Sequence, residues 1–246
     1  MRLMNNLKDN GFLILMPLSK IELYYSSQEH ISNEIISLIG DEFKHTVKVM
    51  RNNVGDTLFI TDGVGSIFKT EISSIENVKV SARIIETIKI ENKFENIIFC
   101  IPKLKNPDRF KYAIEKCVEL GITNFIIFES KRTIAKGTNI KRWEKIALAA
   151  MKQSLRAYLP NIKVVKNLSV IAELKGEKII FEQNAKRKFQ FDFMIDKKNH
   201  FIFGPEGGLT ENEINIFDKY LIFSLSDHRL RSETAIVKVA SLINSL

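Results

Sequence analysis

Apolar and polar positions alternate in short runs through the first third of the chain. Turn residues such as Asp62-Gly63 separate the runs, and the last run alternates cleanly with a period of two. Short runs at this spacing are typical of the β-strands of a small barrel. The predicted strands are Ile35–Ile39, Thr57–Ile60, Ile67–Ile72 and Val78–Ile84.

One helix is predicted to interrupt these strands, with Asp41 as its N-cap. Its apolar positions share the spacing i, i+4, i+7 and would face the barrel, and basic positions with the same spacing line a neighbouring face. The apolar set is Phe43, Val47 and Met50, and the basic set is Lys44, Lys48 and Arg51. The basic stripe is either a solvated helix face or an RNA contact, since a small barrel that carries one is a common RNA-binding module.

The pattern changes after residues 87–95, a charged stretch in which we place a domain boundary. From Asn96 onward, apolar runs alternate with helical patterns, which predicts a parallel sheet covered by helices on both faces. Strands are predicted at 96–101, 124–128, 178–182, 199–203 and 221–225, and helices open at Asn106, Asn139, Thr210 and Ser232. Pro107 takes the first position of the Asn106 helix, and Thr210 and Glu213 have capping-box spacing at the start of a helix over 210–219. Ser232 is the expected N-cap of the last helix, whose inward positions are Ile236, Val239, Ala240 and Ile243. The chain thus divides into an irregular leader (1–19), a barrel domain (20–90) and an α/β domain (96–246).

Three loops of the α/β domain follow predicted strands, at 182–186, 204–209 and 225–234. The carboxyl ends of parallel strands lie at one edge of a sheet, where ligands bind. The middle loop reads Gly-Pro-Glu-Gly-Gly-Leu, whose glycines let the backbone approach a ligand closely, although alone it is equally consistent with a tight turn. The third loop carries Arg229 and Arg231 just before a helix start, where each cation is unfavourable by a few tenths to about 1 kcal/mol. These arginines favour a ligand site.

The composition excludes several classes of protein. A hydrophobic content of 45% and a charged content of 27% are ordinary for a globular chain of 246 residues. Two cysteines, Cys100 and Cys117, fit neither a disulfide framework nor a zinc site, and they indicate a reducing cytoplasm. The four scattered histidines have no metal-ligand spacing, so we expect no structural metal. No apolar run reaches the ~18 residues of a membrane span, and we expect no signal peptide.

Positive charge is concentrated after the predicted domain boundary. The net charge is +8, yet residues 1–90 hold 10 basic and 11 acidic side chains, which leaves +9 for the remainder. From Lys131 to Lys166 there are ten basic residues against the single acid Glu144. This stretch is either a solvated surface or an RNA-facing patch, because Lys and Arg bound to phosphates release counterions.

Several motifs together resemble one family. The stretches GPEGGLTENEI and LRSETA resemble the RsmE-type ribosomal RNA uridine N3-methyltransferases, a branch of the knotted SPOUT methyltransferases. The likeness extends from about residue 22 to the end of the chain. Other stretches that agree with the family pattern are His45–Arg51 with Gly55-Asp56, Ala113–Ile122, Phe128–Arg132 and Lys152–Arg156.

The resemblance implies both a fold and an activity. The fold would be a SPOUT-type α/β domain with a parallel sheet and a C-terminal trefoil knot, preceded by a PUA-like β-barrel domain that binds RNA. The cofactor would be S-adenosylmethionine, and the substrate would be 16S rRNA, within the 30S subunit. The protein would methylate N3 of a uridine as a cytoplasmic homodimer, with no metal and no membrane.

Three sets of site residues follow from this resemblance. Arg231 would stabilise the uridine anion, and Glu233 would orient it or take its proton, with Glu206 as the runner-up for that role. The cofactor would contact Phe181, Glu182, Phe203, Gly204, Pro205, Glu206, Gly207, Gly208, Leu225, Ser226, Leu230, Ser232 and Thr234. The RNA would contact Lys48, Arg51, Lys131, Arg132, Lys152 and Arg156.

The third loop departs from the family pattern at three positions. Ser226 stands in place of the usual glycine, His228 in place of an arginine and Arg229 in place of an apolar residue. We therefore assign no catalytic role to His228. Two alternatives remain open: another SPOUT methyltransferase that acts on tRNA or on a ribose 2′-hydroxyl, and a non-catalytic RNA-binding protein of ribosome assembly.

Overall fold

The computed structural model describes residues 21–135, 137–190 and 197–245. The predicted leader at 1–19 lies outside these ranges. The chain divides into two compact units. The first comprises the residues up to Asn92 together with Met151–Leu159, and the second comprises Lys93–Ala150 and the residues from Pro160 onward.

The first unit is built on a five-stranded sheet. Its strands are β1 (Leu23–Tyr25), β2 (Ile35–Ile39), β3 (Thr57–Thr61), β4 (Ser66–Ile75) and β5 (Lys79–Lys89). They lie in the order β1-β3-β4-β5-β2, with β1 parallel to β3 and the other pairs antiparallel. The Ser26 hydroxyl, just after β1, donates to the carbonyl of Ser37 in β2 at 2.9 Å, so the two edge strands approach each other. The four predicted strands are confirmed, and β1 was not predicted.

The predicted helix of this unit is present but changes its winding. It begins as α1 (Gly40–Lys44) and continues as a π-helical turn, His45–Val49, in which the Met50 amide donates to the His45 carbonyl at 2.9 Å. Phe43 and Val47 pack against the sheet as predicted, whereas Met50 is 46% exposed. The wider π turn rotates the residue after it away from the sheet, so the prediction for Met50 was wrong. The N-cap is Ile39 and not Asp41, which lies within the first turn.

The segment Met151–Leu159 completes the first unit. The Tyr158 hydroxyl donates to the Ile90 carbonyl at 2.8 Å, and the Leu159 amide donates to the Gly63 carbonyl at 2.8 Å. Ala157 accepts from the Gly65 amide at 3.0 Å and packs in a cluster with Leu23, Phe59, Ile67 and Ile88. The sequence had placed this segment in the second domain. Its amphipathic pattern continues that of the preceding helix, so nothing local marks the change of partner.

The second unit is built on a six-stranded parallel sheet. Its strands are β6 (Ile97–Pro102), β7 (Asn124–Phe128), β8 (Asn161–Val164), β9 (Glu177–Phe181), β10 (Asn199–Ile202) and β11 (Leu221–Phe223). They lie in the order β11-β9-β10-β6-β7-β8, and every neighbouring pair is parallel. The prediction of a parallel α/β sheet is confirmed. The trefoil knot stays a prediction.

Five helices accompany this sheet in the described residues. They are α2 (Pro107–Glu119), α3 (Ile140–Gln153), α4 (Leu168–Ala172), α5 (Glu211–Ile214) and α6 (Ser232–Asn244). The Asn106 side chain caps α2 with Pro107 at the first position, as predicted, and α5 starts with the predicted capping box of Thr210 and Glu213. The helix predicted over 210–219 is shorter than expected, and α4 was not predicted.

The core of the second unit is apolar on both faces of the sheet. Cys100 and Cys117 are fully buried there, and burial raises the pKa of both thiols, so they are packing residues. None of the described helices is long and apolar enough to cross a membrane. The described residues also contain no cluster of three or more His, Cys, Asp or Glu side chains arranged for a metal ion.

One buried histidine makes the stability of this core sensitive to acid. His200 of β10 is 2% exposed and is the register partner of Lys178 in β9. Burial, followed by the positive charge of Lys178, lowers the pKa of His200 to about 4. An unfolded histidine titrates near 6.5. The unfolded state therefore binds more protons between these two values, so stability is fully present above about pH 6.5 and is lost as the pH falls towards 4.

We expect His200→Gln to flatten this part of the stability profile. In the wild-type protein the free energy of unfolding falls by up to about 3 kcal/mol as this group protonates, which corresponds to the difference between the two pKa values. Urea unfolding at a series of pH values between 7 and 4 measures it. His228→Gln, at an exposed position, is the matched control and should keep the wild-type profile. Parallel profiles for the wild-type and His200→Gln proteins would refute the assignment.

Candidate active site

A cavity of about 690 Å³ lies at the carboxyl ends of β9, β10 and β11. This volume is in the range of sites for cofactors and other small molecules. All three loops that the sequence singled out contribute to its wall, together with one residue from α2. The lining residues are Arg109, Phe181, Glu182, Gln183, Phe203, Gly204, Pro205, Glu206, Gly207, Gly208, Leu225, Arg229, Leu230, Arg231, Ser232 and Ala235.

The floor of the cavity is aromatic. The rings of Phe181 and Phe203 stack with their centroids 5.0 Å apart and an angle of 21°. The Phe99 ring packs against this stack, with its centroid 5.2 Å from that of Phe203 and 5.7 Å from that of Phe201. Phe181 and Phe203 are 8% and 1% exposed, so the floor consists of buried, closely packed rings and is apolar. Such a surface suits a flat ring of a ligand.

Two glycines shape the loop after β10, one through close backbone packing and the other through a positive φ angle. A Cβ atom at Gly204 would lie 3.1 Å from the Cα of Gly208 and 3.2 Å from the amide nitrogen of Leu209. Gly208 has a φ of +70°, and its amide donates to the Pro205 carbonyl at 2.8 Å. The sequence Gly-Pro-Glu-Gly-Gly therefore folds into a tight turn that presents backbone to the cavity.

Two hydrogen bonds from neighbouring segments, one from a side chain and one from a backbone amide, hold this loop in place. Arg132 donates from Nη1 to the Gly207 carbonyl at 2.6 Å, and the Lys105 amide donates to Glu206 Oε1 at 2.9 Å. Arg132 was predicted to bind RNA. The structure gives it this additional contact with the glycine loop.

The capping carboxylate of α5 also joins this support. Glu213 Oε2 accepts from the amide and hydroxyl of Thr210, and Oε1 accepts from the Lys131 amide at 2.7 Å. Burial raises the pKa of Glu213, but the hydrogen bonds from Thr210 and Lys131 outweigh it and leave the pKa below its usual value. The charged carboxylate thus fastens the loop after β7 to the start of α5. The Lys131 side chain itself is exposed.

The third loop is positioned from three sides. Gln183 Nε2 donates to the carbonyls of Ser226 and His228, each at 3.2 Å, and Lys238 of α6 donates to the Leu225 carbonyl at 2.7 Å. The Ser232 hydroxyl donates to the Gly204 carbonyl at 3.0 Å and so ties the third loop to the glycine loop. The predicted role of Ser232 as an N-cap was wrong. The cap position is Arg231, whose side chain makes no capping bond.

The three departures from the family pattern have distinct structural outcomes. Ser226 does not need the freedom of glycine, since its φ is not positive, and its hydroxyl accepts from the His228 amide at 3.1 Å. The His228 side chain is exposed and does not line the cavity. Arg229 does line it. The cavity wall therefore keeps two arginines from this loop, Arg229 and Arg231.

A third arginine enters the cavity from α2. The Nε atom of Arg109 lies 3.4 Å from Glu233 Oε1, and Glu233 is 8% exposed. The other oxygen, Oε2, is buried and has no hydrogen-bond partner among the described residues. Glu233 does not line the cavity, and neither do Ser226 and Thr234. Three lining residues were not among the predicted contacts. Gln183 lies in the predicted loop 182–186 and Ala235 ends the LRSETA motif, whereas no motif marks Arg109.

The remaining basic residues of the RNA prediction belong to the first unit. Lys48 and Arg51 are exposed. Lys152 forms an ion pair with Glu42 at 2.6 Å and lies over the Tyr24 ring. Burial lowers the pKa of Arg156. Lys48 and Arg51 are therefore the two residues of this group that present an unburied charge.

Comparison with known proteins places this geometry among methyltransferases. A family model described as "RNA methyltransferase domain" matches residues 91–244, and one described as "RNA methyltransferase PUA domain" matches residues 38–85. A Bacillus subtilis protein, "Ribosomal RNA small subunit methyltransferase E", is 29% identical over 85% of this chain and 89% of its own length.

Two solved structures are similar over nearly the whole chain. A probable rRNA methyltransferase from Porphyromonas gingivalis aligns with a TM-score of 0.81 at 27% identity, covering 92% of this chain and 98% of that one. A ribosomal RNA small subunit methyltransferase E from Neisseria gonorrhoeae, bound to S-adenosylmethionine, aligns with a TM-score of 0.81 at 23% identity, covering 92% and 97%.

Proposed function

The chain belongs to the RNA methyltransferase family, and from this premise we propose that it transfers a methyl group from S-adenosylmethionine to N3 of a uridine in small-subunit rRNA. The observation that supports this most directly is the cavity at the carboxyl edge of the parallel sheet. It combines a tight glycine loop and an aromatic floor with three arginines. The residues suit a ligand with a flat base and suit a reaction in which negative charge develops.

The cavity fits S-adenosylmethionine in size and in chemistry. The backbone of 203–208 and of 225–230 would hold the adenine and ribose, with the Phe181–Phe203 stack as an apolar surface beneath them. Glu182 and Ser232 also line the wall. When bound, the cofactor supplies a methyl group on a sulfonium, which is electrophilic without help from an acid. The chain has only to orient the partners and manage charge.

Arg231 is the residue that we assign to the charge of the uridine. N3 of uridine must lose its imide proton before it can accept a methyl group, and the base then carries a negative charge. A guanidinium on the cavity wall stabilises that anion. Arg231 stands at the positive end of α6, where a cation is unfavourable by about 0.3–1 kcal/mol unless an anion lies near it.

We assign the removal of the uridine imide proton to a carboxylate on the cavity wall. Glu206 lines the wall and is exposed, with Oε1 held by the Lys105 amide. Glu233, the first choice from sequence, is buried against Arg109. We therefore propose Glu206 as the general base and Glu233 as a positioning residue that orients Arg109.

We expect Arg109→Ala to lower the rate of methyl transfer about tenfold and to destabilise the protein by about 1 kcal/mol. The loss of stability arises because the Glu233 carboxylate would remain buried without its partner. In a Glu233→Gln background the same change should cost much less stability, since no charge is left unpaired. Urea unfolding of the four proteins in this double-mutant cycle measures the coupling. Additive effects would contradict the pairing.

The partners of the protein also belong to this proposal. We propose that the first unit contacts rRNA through Lys48 and Arg51, and that Lys131 and Arg132 contribute from the second unit. The substrate is 16S rRNA within a 30S particle, which places the protein in the cytoplasm. A homodimer is expected from the resemblance, and sedimentation of the purified protein would test it.

The function is tested by transfer of a tritiated methyl group to 30S particles from a strain that lacks the enzyme. We expect labelled 3-methyluridine after nuclease digestion and mass spectrometry of the rRNA. A label on tRNA would show a different SPOUT activity. So would a label on a ribose 2′-oxygen, which makes the adjacent phosphodiester bond resistant to alkaline cleavage. Binding of S-adenosylmethionine without transfer to any RNA would refute the proposed reaction, and absence of cofactor binding would indicate a non-catalytic RNA-binding protein.

A further inference from the structure

A second cavity, of about 440 Å³, lies beside the first and has no role in the chemistry described above. It is formed by the connection from β6 to α2, the start of α2 and the start of α3. The Lys105 amide, in that connection, donates to Glu206 of the glycine loop at 2.9 Å. This hydrogen bond therefore joins the walls of the two cavities, since Lys105 lines the second and Glu206 lines the first.

The second cavity is cationic. Lys105, Lys111 and Arg142 line it and are exposed. Over the ranges that the structure describes, none of these three side chains forms an ion pair. A fourth lysine, Lys103, is only 5% exposed and donates to Glu129 and to Thr138. No carboxylate is part of the lining, so the cavity has the charge expected for a phosphate ligand.

An aromatic pair adds a second, apolar element. The rings of Trp143 and Phe110 lie 5.0 Å apart at an angle of 53°, and Trp143 is partly exposed. Bases of single-stranded nucleic acid stack on such rings, and each stacked base strengthens binding appreciably. The cavity therefore offers cations to a phosphate and an aromatic surface to a base, which together match one nucleotide.

We propose that this second cavity binds a nucleotide of single-stranded RNA next to the nucleotide that is methylated. The base stacks on Trp143, and its phosphate lies among Lys105, Lys111 and Arg142. The inference rests on the proposed function for the choice of RNA as substrate. An enzyme that acts on N3, an atom used in base pairing, needs its target nucleotide unpaired. Where the target lies in a single-stranded stretch, the neighbouring bases are unpaired as well and are free to stack on a protein surface. A site for one of them holds the strand open and in register.

Trp143 is the only tryptophan of the chain, which makes the test direct. Oligo(U) and oligo(A) are titrated into the protein while the tryptophan fluorescence is recorded, and stacking of a base should quench it. Arg142→Ala and Lys111→Ala should weaken binding by about tenfold each, the equivalent of about 1.4 kcal/mol. Lys145→Ala is the matched control, because Lys145 is an exposed cation on the same helix that does not line the cavity.

Three outcomes would overturn the proposal. One is RNA binding, seen by fluorescence anisotropy of labelled oligo(U), with no change in the Trp143 signal. Another is equal affinity of Arg142→Ala and Lys145→Ala. The third is quenching by polyglutamate and not by RNA, which would indicate an acidic protein partner.

The inference and the proposed function can fail separately. Calorimetry with S-adenosylmethionine reports on the first cavity alone, and the methyl-transfer assay reports on the reaction itself. Quenching by oligo(U) without methyl transfer would leave the second site in place and remove the proposed reaction. Methyl transfer without quenching would support the proposed reaction and refute the second site.

Discussion

Replacing Arg231 with alanine is expected to reduce methyl transfer by about 100- to 1,000-fold, the loss that follows removal of one fixed group that stabilises charge in a transition state. The guanidinium lines the cavity at the start of α6 and makes no capping bond, so the helix does not require it. Binding of S-adenosylmethionine should change little, because the cofactor contacts that we propose are made by backbone groups and by the aromatic floor. Single-turnover transfer and calorimetry on the same preparation separate the two effects.

Two further variants sharpen this experiment. Arg231→Lys keeps the charge but not the planar fork, and we expect it to recover only part of the rate. Arg83→Ala removes an exposed arginine of the first unit, which pairs with Glu71, and should transfer methyl at the wild-type rate. Unchanged turnover of Arg231→Ala would remove this residue from the mechanism. Loss of cofactor affinity in step with the rate would assign it to cofactor binding.

Replacing Gly204 with alanine is expected to weaken S-adenosylmethionine binding by about 10- to 100-fold, on the basis of the ~1–3 kcal/mol that overpacking of a tight site costs. The added Cβ would lie 3.1 Å from the Cα of Gly208 and 3.2 Å from the Leu209 nitrogen. Both are backbone atoms of the same turn, so they cannot move aside without reshaping the cavity wall. Calorimetric titration with the cofactor measures the effect.

Gly207 is the matched comparison within the same loop. A Cβ there would meet only the side chain of Arg132, with the Cδ atom 3.2 Å away. A long side chain can give way, so Gly207→Ala should bind the cofactor almost as well as the wild-type protein. Equal losses at Gly204 and Gly207 would indicate that glycine content, and not this close approach, determines affinity. Circular dichroism and urea unfolding of both variants are the controls for correct folding.

Local patterns predicted most of the fold because local physics determines most of it. The capping box of Thr210 and Glu213, the proline at the start of α2 and the apolar spacing of Ile236, Val239, Ala240 and Ile243 all act within a few residues. The exceptions depend on distant partners. The short strand β1 exists through its parallel pairing with β3, and Ser232 donates to Gly204 instead of capping its own helix.

The same distinction applies to the site. The loops that follow β9, β10 and β11 could be identified, because strand ends, glycines and misplaced arginines are visible in the sequence. Arg109 could not, since it reaches the cavity only through the packing of α2 against α6. Gln183 acts through two backbone carbonyls of another loop, a contact that leaves no trace in its own neighbourhood.

The inclusion of Met151–Leu159 in the first unit affects the order in which a newly made chain can fold. Domains generally fold in the order in which they emerge from the ribosome. Here the first unit waits for a segment that is synthesised after residues 93–150. Until Ala157 arrives, the nascent chain exposes the cluster around Leu23, Phe59 and Ile67. We therefore expect the first unit to become protease-resistant only after residue 159 has emerged, and not directly after residue 92. It should still do so before the second unit, whose strands β8–β11 are synthesised later.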